Sequence, residues 1–176
     1  MLSILIVEDE KHTREGLLKY IPWQKIGIDK TYDAENGLQA LEIANDFCPN
    51  IILTDVRMPK MNGIELSRKI RKKFPDCKII FLSSYTDKEY LKSAIEINAV
   101  NYIEKPVDLN EVNSILKNTV YICMEEQKKE ALEKTYKSIV TENFLKLNEM
   151  ISFEIIQKDI NLELIKNKLN EVKFDY

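Results

Sequence analysis

The sequence predicts an α/β protein: a doubly wound, five-stranded parallel sheet followed by a C-terminal helical extension. Three observations predict it. Short runs rich in β-branched residues alternate with helical stretches through about residue 120. Helix-starting motifs recur between them, with Asn36, Asn62, Thr86 and Asp108 each three residues before Gln39, Glu65, Glu89 and Glu111. Beyond Pro106 there is no further Gly or Pro, and apolar residues recur at helical spacing.

The elements follow in order. Residues 2–7, Leu-Ser-Ile-Leu-Ile-Val, form the first strand. A helix from about residue 10 to 20 is stopped by Pro22. Residues 22–28 are a connector, and residues 30–35 a weak second strand. The helix opened by Asn36 runs to about residue 46. Ile51-Ile52-Leu53-Thr54 is the third strand. Pro59 cannot donate to a ladder, so Asp55 stands at the carboxyl end of that strand. A helix runs from Asn62 to about residue 74, and residues 78–83 form the fourth strand. A helix follows from Thr86 to about residue 97, with the fifth strand at 100–103 and the last helix after Asp108. Pattern alone leaves the strand order open. The order 2-1-3-4-5 would bring the ends of strands one, three and five together.

Residues 121–176 differ in character from residues 1–120 and read as a helical extension. Val112, Leu116, Thr119 and Cys123 make one stripe, and Leu132, Tyr136, Ile139 and Asn143 continue a similar one. Further helix is expected from Phe144-Leu145-Lys146-Leu147 and Ile155-Ile156 towards Tyr176. A long amphipathic helix needs something to cover its stripe, and a second copy of the chain is one candidate.

Composition narrows the function classes. The chain has 176 residues, enough for one domain plus an appendage. No apolar stretch reaches membrane-spanning length. The N-terminus enters a strand with no basic leader, so the expectation is a cytoplasmic protein. Cys48, Cys77 and Cys123 are widely spaced and read as buried small apolar residues. Residues 1–120 carry 17 basic and 18 acidic side chains, and residues 121–176 carry 9 and 11, so neither part has a DNA-binding footprint. His12 is the only histidine and cannot build a His-based metal site.

The chemistry lies at the strand ends. Glu8 and Asp9 follow the first strand, Asp55 ends the third, and Lys105 follows the fifth. Singly, each has an ordinary reading as a surface, capping or loop residue. Together they place three carboxylates and one ammonium on one sheet edge, where ligands gather in open parallel sheets. Clustered carboxylates repel and call for a cation. Mg²⁺, or Mn²⁺ in its place, suits hard oxygen ligands and keeps several waters. Asp9 and Asp55 would bind it with a backbone carbonyl, and Glu8 through water. Lys105 would face a phosphoryl group as a point charge. Asp55 would be the acceptor oxygen, since an aspartyl carboxylate is a known covalent phosphoryl carrier. Ser83 ends the fourth strand within reach of such a group, and Tyr102 is a half-buried sheet aromatic.

Four separated motifs carry a resemblance. They are Ile4-Leu5-Ile6-Val7-Glu8-Asp9-Glu10, Leu53-Thr54-Asp55-Val56-Arg57-Met58-Pro59-Lys60-Met61-Asn62-Gly63, Ile79-Ile80-Phe81-Leu82-Ser83 and Tyr102-Ile103-Glu104-Lys105-Pro106. In this order and spacing, residues 1–120 resemble the receiver domain of two-component response regulators, which has the flavodoxin-like topology. The resemblance implies that Asp55 is the phosphoacceptor, and that Glu8, Asp9, Asp55 and the backbone carbonyl of Arg57 hold Mg²⁺. It implies that Lys105 contacts the phosphoryl group and that Ser83 and Tyr102 form the switch pair. It implies a sensor histidine kinase as donor, and a homodimer through the fourth-helix, fifth-strand and fifth-helix face or the C-terminal helix. The connector Trp23-Gln24-Lys25-Ile26-Gly27-Ile28 and the stretch from Ser84 to Ile95 are similar to the subgroup whose receivers precede an AraC-type DNA-binding domain. Asp159-Ile160-Asn161-Leu162-Glu163-Leu164-Ile165 faintly resembles the start of a helix-turn-helix, yet it has no Arg and is net acidic. The expectation is a receiver acting on transcription through an output domain that these residues do not include.

Other classes fit less well. A haloacid-dehalogenase-type phosphatase needs a second Asp where Arg57 stands. A flavodoxin-like FMN carrier needs a phosphate loop where Glu8-Asp9-Glu10-Lys11 stands, and those carboxylates repel phosphate. A P-loop motif is absent from the sequence. The remaining alternative is a receiver-fold interaction module that signals without phosphorylation.

Overall fold

The computed structural model describes residues 1–84 and 88–157. The capping position Thr86, its neighbour Tyr85, and every expectation for residues 158–176, including the helix-turn-helix likeness, lie outside the described residues. The chain divides into two compact units, Met1–Glu125 and Glu126–Tyr176.

The first unit alternates strands and helices. β1 (Ser3–Val7), β2 (Lys30–Ala34), β3 (Ile51–Asp55), β4 (Lys78–Ser83) and β5 (Asn101–Glu104) form one sheet in the order β2-β1-β3-β4-β5. All four pairings are parallel. α1 (Lys11–Tyr20), α2 (Gly37–Phe47), α3 (Gly63–Lys73), α4 (Lys88–Glu96) and α5 (Leu109–Gln157) connect and flank the strands. Most expected boundaries shift by a single residue: β1 starts at Ser3, and β5 begins at Asn101 because Val100 turns in to donate to Ile79.

Strand periodicity divides the core between the two faces of the sheet. Ile4, Ile6, Leu53, Ile80, Leu82 and Ile103 face Leu17 of α1 and Val112, Leu116, Val120 and Cys123 of α5. Leu5, Val7, Ile52, Ile79 and Phe81 face the helices on the other side, among them Ala40, Ala44, Leu66 and Ile70. A strand covered on both faces needs an unbroken apolar run, which is why β1 and β3 read as they do. Full burial of one such Leu or Ile stabilises by about 1.5–3 kcal/mol.

The caps behave as their residue types dictate. The Asn36 side chain accepts from the amides of Leu38 and Gln39 at 3.1 and 3.2 Å. Gln39 reaches back to the amide of Glu35 at 2.9 Å, one residue before the expected partner. Asn62 accepts from the Glu65 amide at 2.8 Å, and Asp108 from the Asn110 amide at 2.8 Å. Cys77 and Cys123 are buried, but Cys48 is exposed. It closes α2 in the left-handed region at φ 48°, past the last core-facing turn, so its expected burial is corrected.

The connector after α1 has structure of its own. Trp23–Ile26 form a 3₁₀ turn, closed by Gly27 at φ 90°. Trp23 Nε1 donates to the carbonyl of Leu18 at 3.0 Å, and its ring packs on the cluster that holds Val120 and Cys123. A Cβ on Gly27 would stand 2.8 Å from Met124 Cε and 3.2 Å from Val120 Cγ1. The connector therefore braces α5 at the edge of the first unit, a role that its sequence does not announce.

In the second unit the described part is the distal stretch of α5. Leu132, Tyr136 and Ile139 are 72%, 70% and 52% exposed there. Among the described residues no helix is long and apolar enough to cross a membrane.

Candidate functional site

The register of the sheet assembles the site. Val7 aligns with Thr54, Asp55 with Leu82, and Ser83 with Glu104, so the carboxyl ends of four strands share one edge. Asp55 closes β3 and is 6% exposed. Glu8, one residue past β1, is fully buried, while Asp9 is exposed. A ligand oxygen from each of Glu8, Asp9 and Asp55 lies within 4.8 Å of the others. α3 begins hard against β3, since a Cβ on Gly63 would fall 2.0 Å from the Asp55 carbonyl oxygen. Only glycine permits that approach.

Lys105 crosses the cluster. Its Nζ donates to Asp55 Oδ2 at 2.6 Å and stands 3.0 and 2.8 Å from the two carboxylate oxygens of Glu8. The Lys105 amide donates to the Ser83 carbonyl at 2.7 Å, which fixes where the side chain starts. Burial pulls the Lys105 ammonium down, but the hydrogen bonds to Asp55 and then Glu8, with their charges, outweigh it and raise its pKa. Burial pushes Glu8 up to about 7, and the Asp55 charge adds to this against the pull of Lys105. Three carboxylates thus gather within reach of one another around a single lysine. The residues therefore fit a divalent cation: Asp9 and Asp55 offer hard oxygens directly and Glu8 lies behind them.

Of the expected site residues, Glu8, Asp9, Asp55 and Lys105 come together. The Arg57 amide donates to Asp55 Oδ1 at 3.1 Å, so the Arg57 main chain lies beside the Asp55 carboxylate. Ser83 Oγ is hydrogen-bonded to the Tyr102 hydroxyl and donates to the Ser84 carbonyl at 3.1 Å. Ser83 is buried at the sheet edge next to this group.

Sequence reasoning missed Arg14. Its Nη1 donates to the Glu8 carbonyl at 2.6 Å and its Nε to Asp33 Oδ2 at 3.1 Å. The available signal was scarcity: the chain has 22 Lys and 4 Arg, and an Arg in a Lys-rich sequence marks a place needing a planar, several-donor group.

The response regulator receiver domain family matches residues 4–117. The transcriptional regulatory protein HptR of Staphylococcus aureus (strain N315) is 38% identical over 127 residues, 72% of this chain and 50% of that protein. A solved two-component transcriptional regulator AraC from Clostridium phytofermentans ISDg is 45% identical, with a TM-score of 0.67 over 73% of this chain and 99% of that one. The receiver domain of AraT, a response regulator from Geobacillus stearothermophilus, is 29% identical, with a TM-score of 0.68 over 72% and 98%. The chain spans about half the length of the curated relatives it matches. With the parallel sheet, the acidic cluster and its bridging lysine in place, the chain belongs to the response regulator receiver domain family of two-component systems.

Proposed function

We propose that Asp55 accepts a phosphoryl group from the phosphohistidine of a sensor histidine kinase, and that residues 1–120 are the receiver and residues 121–176 the helical extension that carries the signal. One observation supports this above the others: Lys105 Nζ bridges Asp55 and Glu8 at the edge where Asp9 joins them. An Asp55 carboxylate oxygen attacks phosphorus in line, the P–N bond breaks, and the imidazole leaves with the electron pair. Lys105 moves from the acceptor carboxylate to the phosphoryl oxygens. Asp9, Asp55 and the Arg57 carbonyl, with Glu8 behind them, would hold Mg²⁺, which would supply charge neutralisation to those oxygens. A cleft of about 370 Å³ beside Lys105, lined by Thr13, Gly16, Leu17, Pro106 and Val107, offers a donor protein an approach.

The new charge then draws the Ser83 hydroxyl away from Tyr102, whose ring turns inward. That rearrangement biases the face of α4, β5 and α5 towards a homodimer. Loss of the phosphoryl group to water returns the domain to rest. The receiver is a signalling domain rather than a conventional enzyme, and its place of work is the cytoplasm. The AraC-type likeness in residues 84–95 and the solved AraC relative support transcription regulation through a DNA-binding domain outside residues 1–176.

The test is intact mass spectrometry after incubation with a small phosphodonor and Mg²⁺. One added phosphoryl group is expected, absent with Asp55→Asn and with a chelator. No adduct despite Mg²⁺ binding and a panel of kinases would favour the reading as a module that signals without phosphorylation.

A further inference from the structure

We propose that Arg14 is a positioning residue for the acidic cluster, gripping the Glu8–Asp9 peptide so that the Asp9 carboxylate stands beside those of Glu8 and Asp55. The proposal rests on the reading of that cluster as a divalent-cation site. Asp9 poses the problem that Arg14 solves. Its side chain is exposed. Nevertheless, its oxygen lies within 4.8 Å of those of Glu8 and Asp55, in a loop between β1 and α1. The backbone of that loop sets where the carboxylate starts.

Three anchors hold that backbone. The Glu8 amide donates to the Ala34 carbonyl at 3.1 Å, and the Glu10 amide donates to the Glu8 carboxylate at 3.3 Å. The third is the 2.6 Å bond from Arg14 Nη1 to the Glu8 carbonyl. A carbonyl oxygen and the next amide share one rigid plane. Holding the Glu8 oxygen therefore sets the plane from which the Asp9 Cα departs. The second bond, from Arg14 Nε to Asp33 at the end of β2, holds the guanidinium itself in place. The Arg14 side chain is only 11% exposed, so little solvent competes for its bond to the Glu8 carbonyl, whereas Asp33 is 48% exposed. The planar fork of arginine serves two directions at once, which a lysine ammonium at this place cannot reproduce.

Mg²⁺ titration by calorimetry on the full chain tests this, with Asp9→Asn as the benchmark for a lost ligand. Arg14→Met is expected to weaken Mg²⁺ binding about tenfold or more, the range for groups that orient metal ligands. Asp33→Asn is expected to weaken it much less, because the carbonyl bond survives. Arg14→Lys should fall between them. Equal losses in Arg14→Met and Asp33→Asn would overturn the proposal in favour of a simple helix-to-strand tie. So would unchanged binding in Arg14→Met where Asp9→Asn loses it. Amide hydrogen exchange reads the same loop without any cation. Faster exchange at Asp9 and Glu10 in Arg14→Met, with β3 protection intact, supports the grip, and unchanged exchange overturns it. Failure of the unmodified chain to bind Mg²⁺ would strike the cation-site reading, whereas the exchange result would still decide the role of Arg14.

Discussion

One helix carries two stripes of the same period and opposite fate. In α5, Val112, Leu116 and Thr119 are 0% exposed and Cys123 is 6% exposed. Further along, Leu132, Tyr136 and Ile139 repeat the spacing at 52–72% exposure, and Asn143 is exposed as well. The first stripe closes the core against β1, β3, β4 and β5, whereas the second belongs to the other unit. Helical periodicity shows that a face is suited to being covered, not what covers it. The proximal stripe is part of the stability of the receiver, and the distal one is available to the homodimer proposed above.

Paired truncations separate the two stripes most directly. Leu116→Ala should destabilise the first unit by about 2–5 kcal/mol, from lost burial and a residual cavity. Leu132→Ala should stay within about 0.5 kcal/mol at dilute concentration, as exposed substitutions do. Urea unfolding of both variants checks this, and equal effects would sink the distinction.

A pH dependence belongs to the receiver alone. Glu8 is raised from 4.5 to about 7, so its contribution is fully present below pH 4.5 and is lost as pH rises towards and past 7. Lys105, raised above its ordinary value, stays charged throughout this window and contributes no slope. Stability without added divalent cation should therefore fall by about 3 kcal/mol between pH 5 and pH 8. Glu8→Gln should flatten the curve, and Mg²⁺ should restore stability chiefly at the alkaline end. A flat profile in the unmodified chain would show that burial does not hold Glu8 neutral.

The smallest effect probes the brace at the boundary between the two stripes. Gly27→Ala meets both a φ of 90° and the 2.8 Å approach of Met124. It should cost about 1–2 kcal/mol. Fluorescence of Trp23, the only tryptophan, should report the loosened contact. An unchanged melting temperature and emission would show that the connector does not hold α5.

Much of the fold was legible because its signals are local. The apolar runs at Ile4–Val7 and Ile51–Leu53 are strands buried on both faces, and such strands look the same wherever they sit in a sheet. Asn36, Asn62 and Asp108 start helices through bonds to amides two or three residues away. Cys48 was misjudged because residue type suggests burial while its place after the last turn of α2 decides exposure. Arg14 was invisible because its partners, Glu8 and Asp33, lie 6 and 19 residues away and meet it only across β1 and β2.

Element type, element order and the chemistry at each strand end follow from patterns a few residues long, and for these the chain of amino acids sufficed. The strand order and register required pairing across the whole unit, because nothing local says that β1 lies between β2 and β3. Folding alone put Lys105 against Asp55, 50 residues away, and against Glu8, 97 residues away. Burial then raised Glu8, and no sequence pattern reports burial at a single carboxylate. The site's residues were written into the sequence, while their distances and charge states came from the low-dielectric edge that the assembled sheet creates.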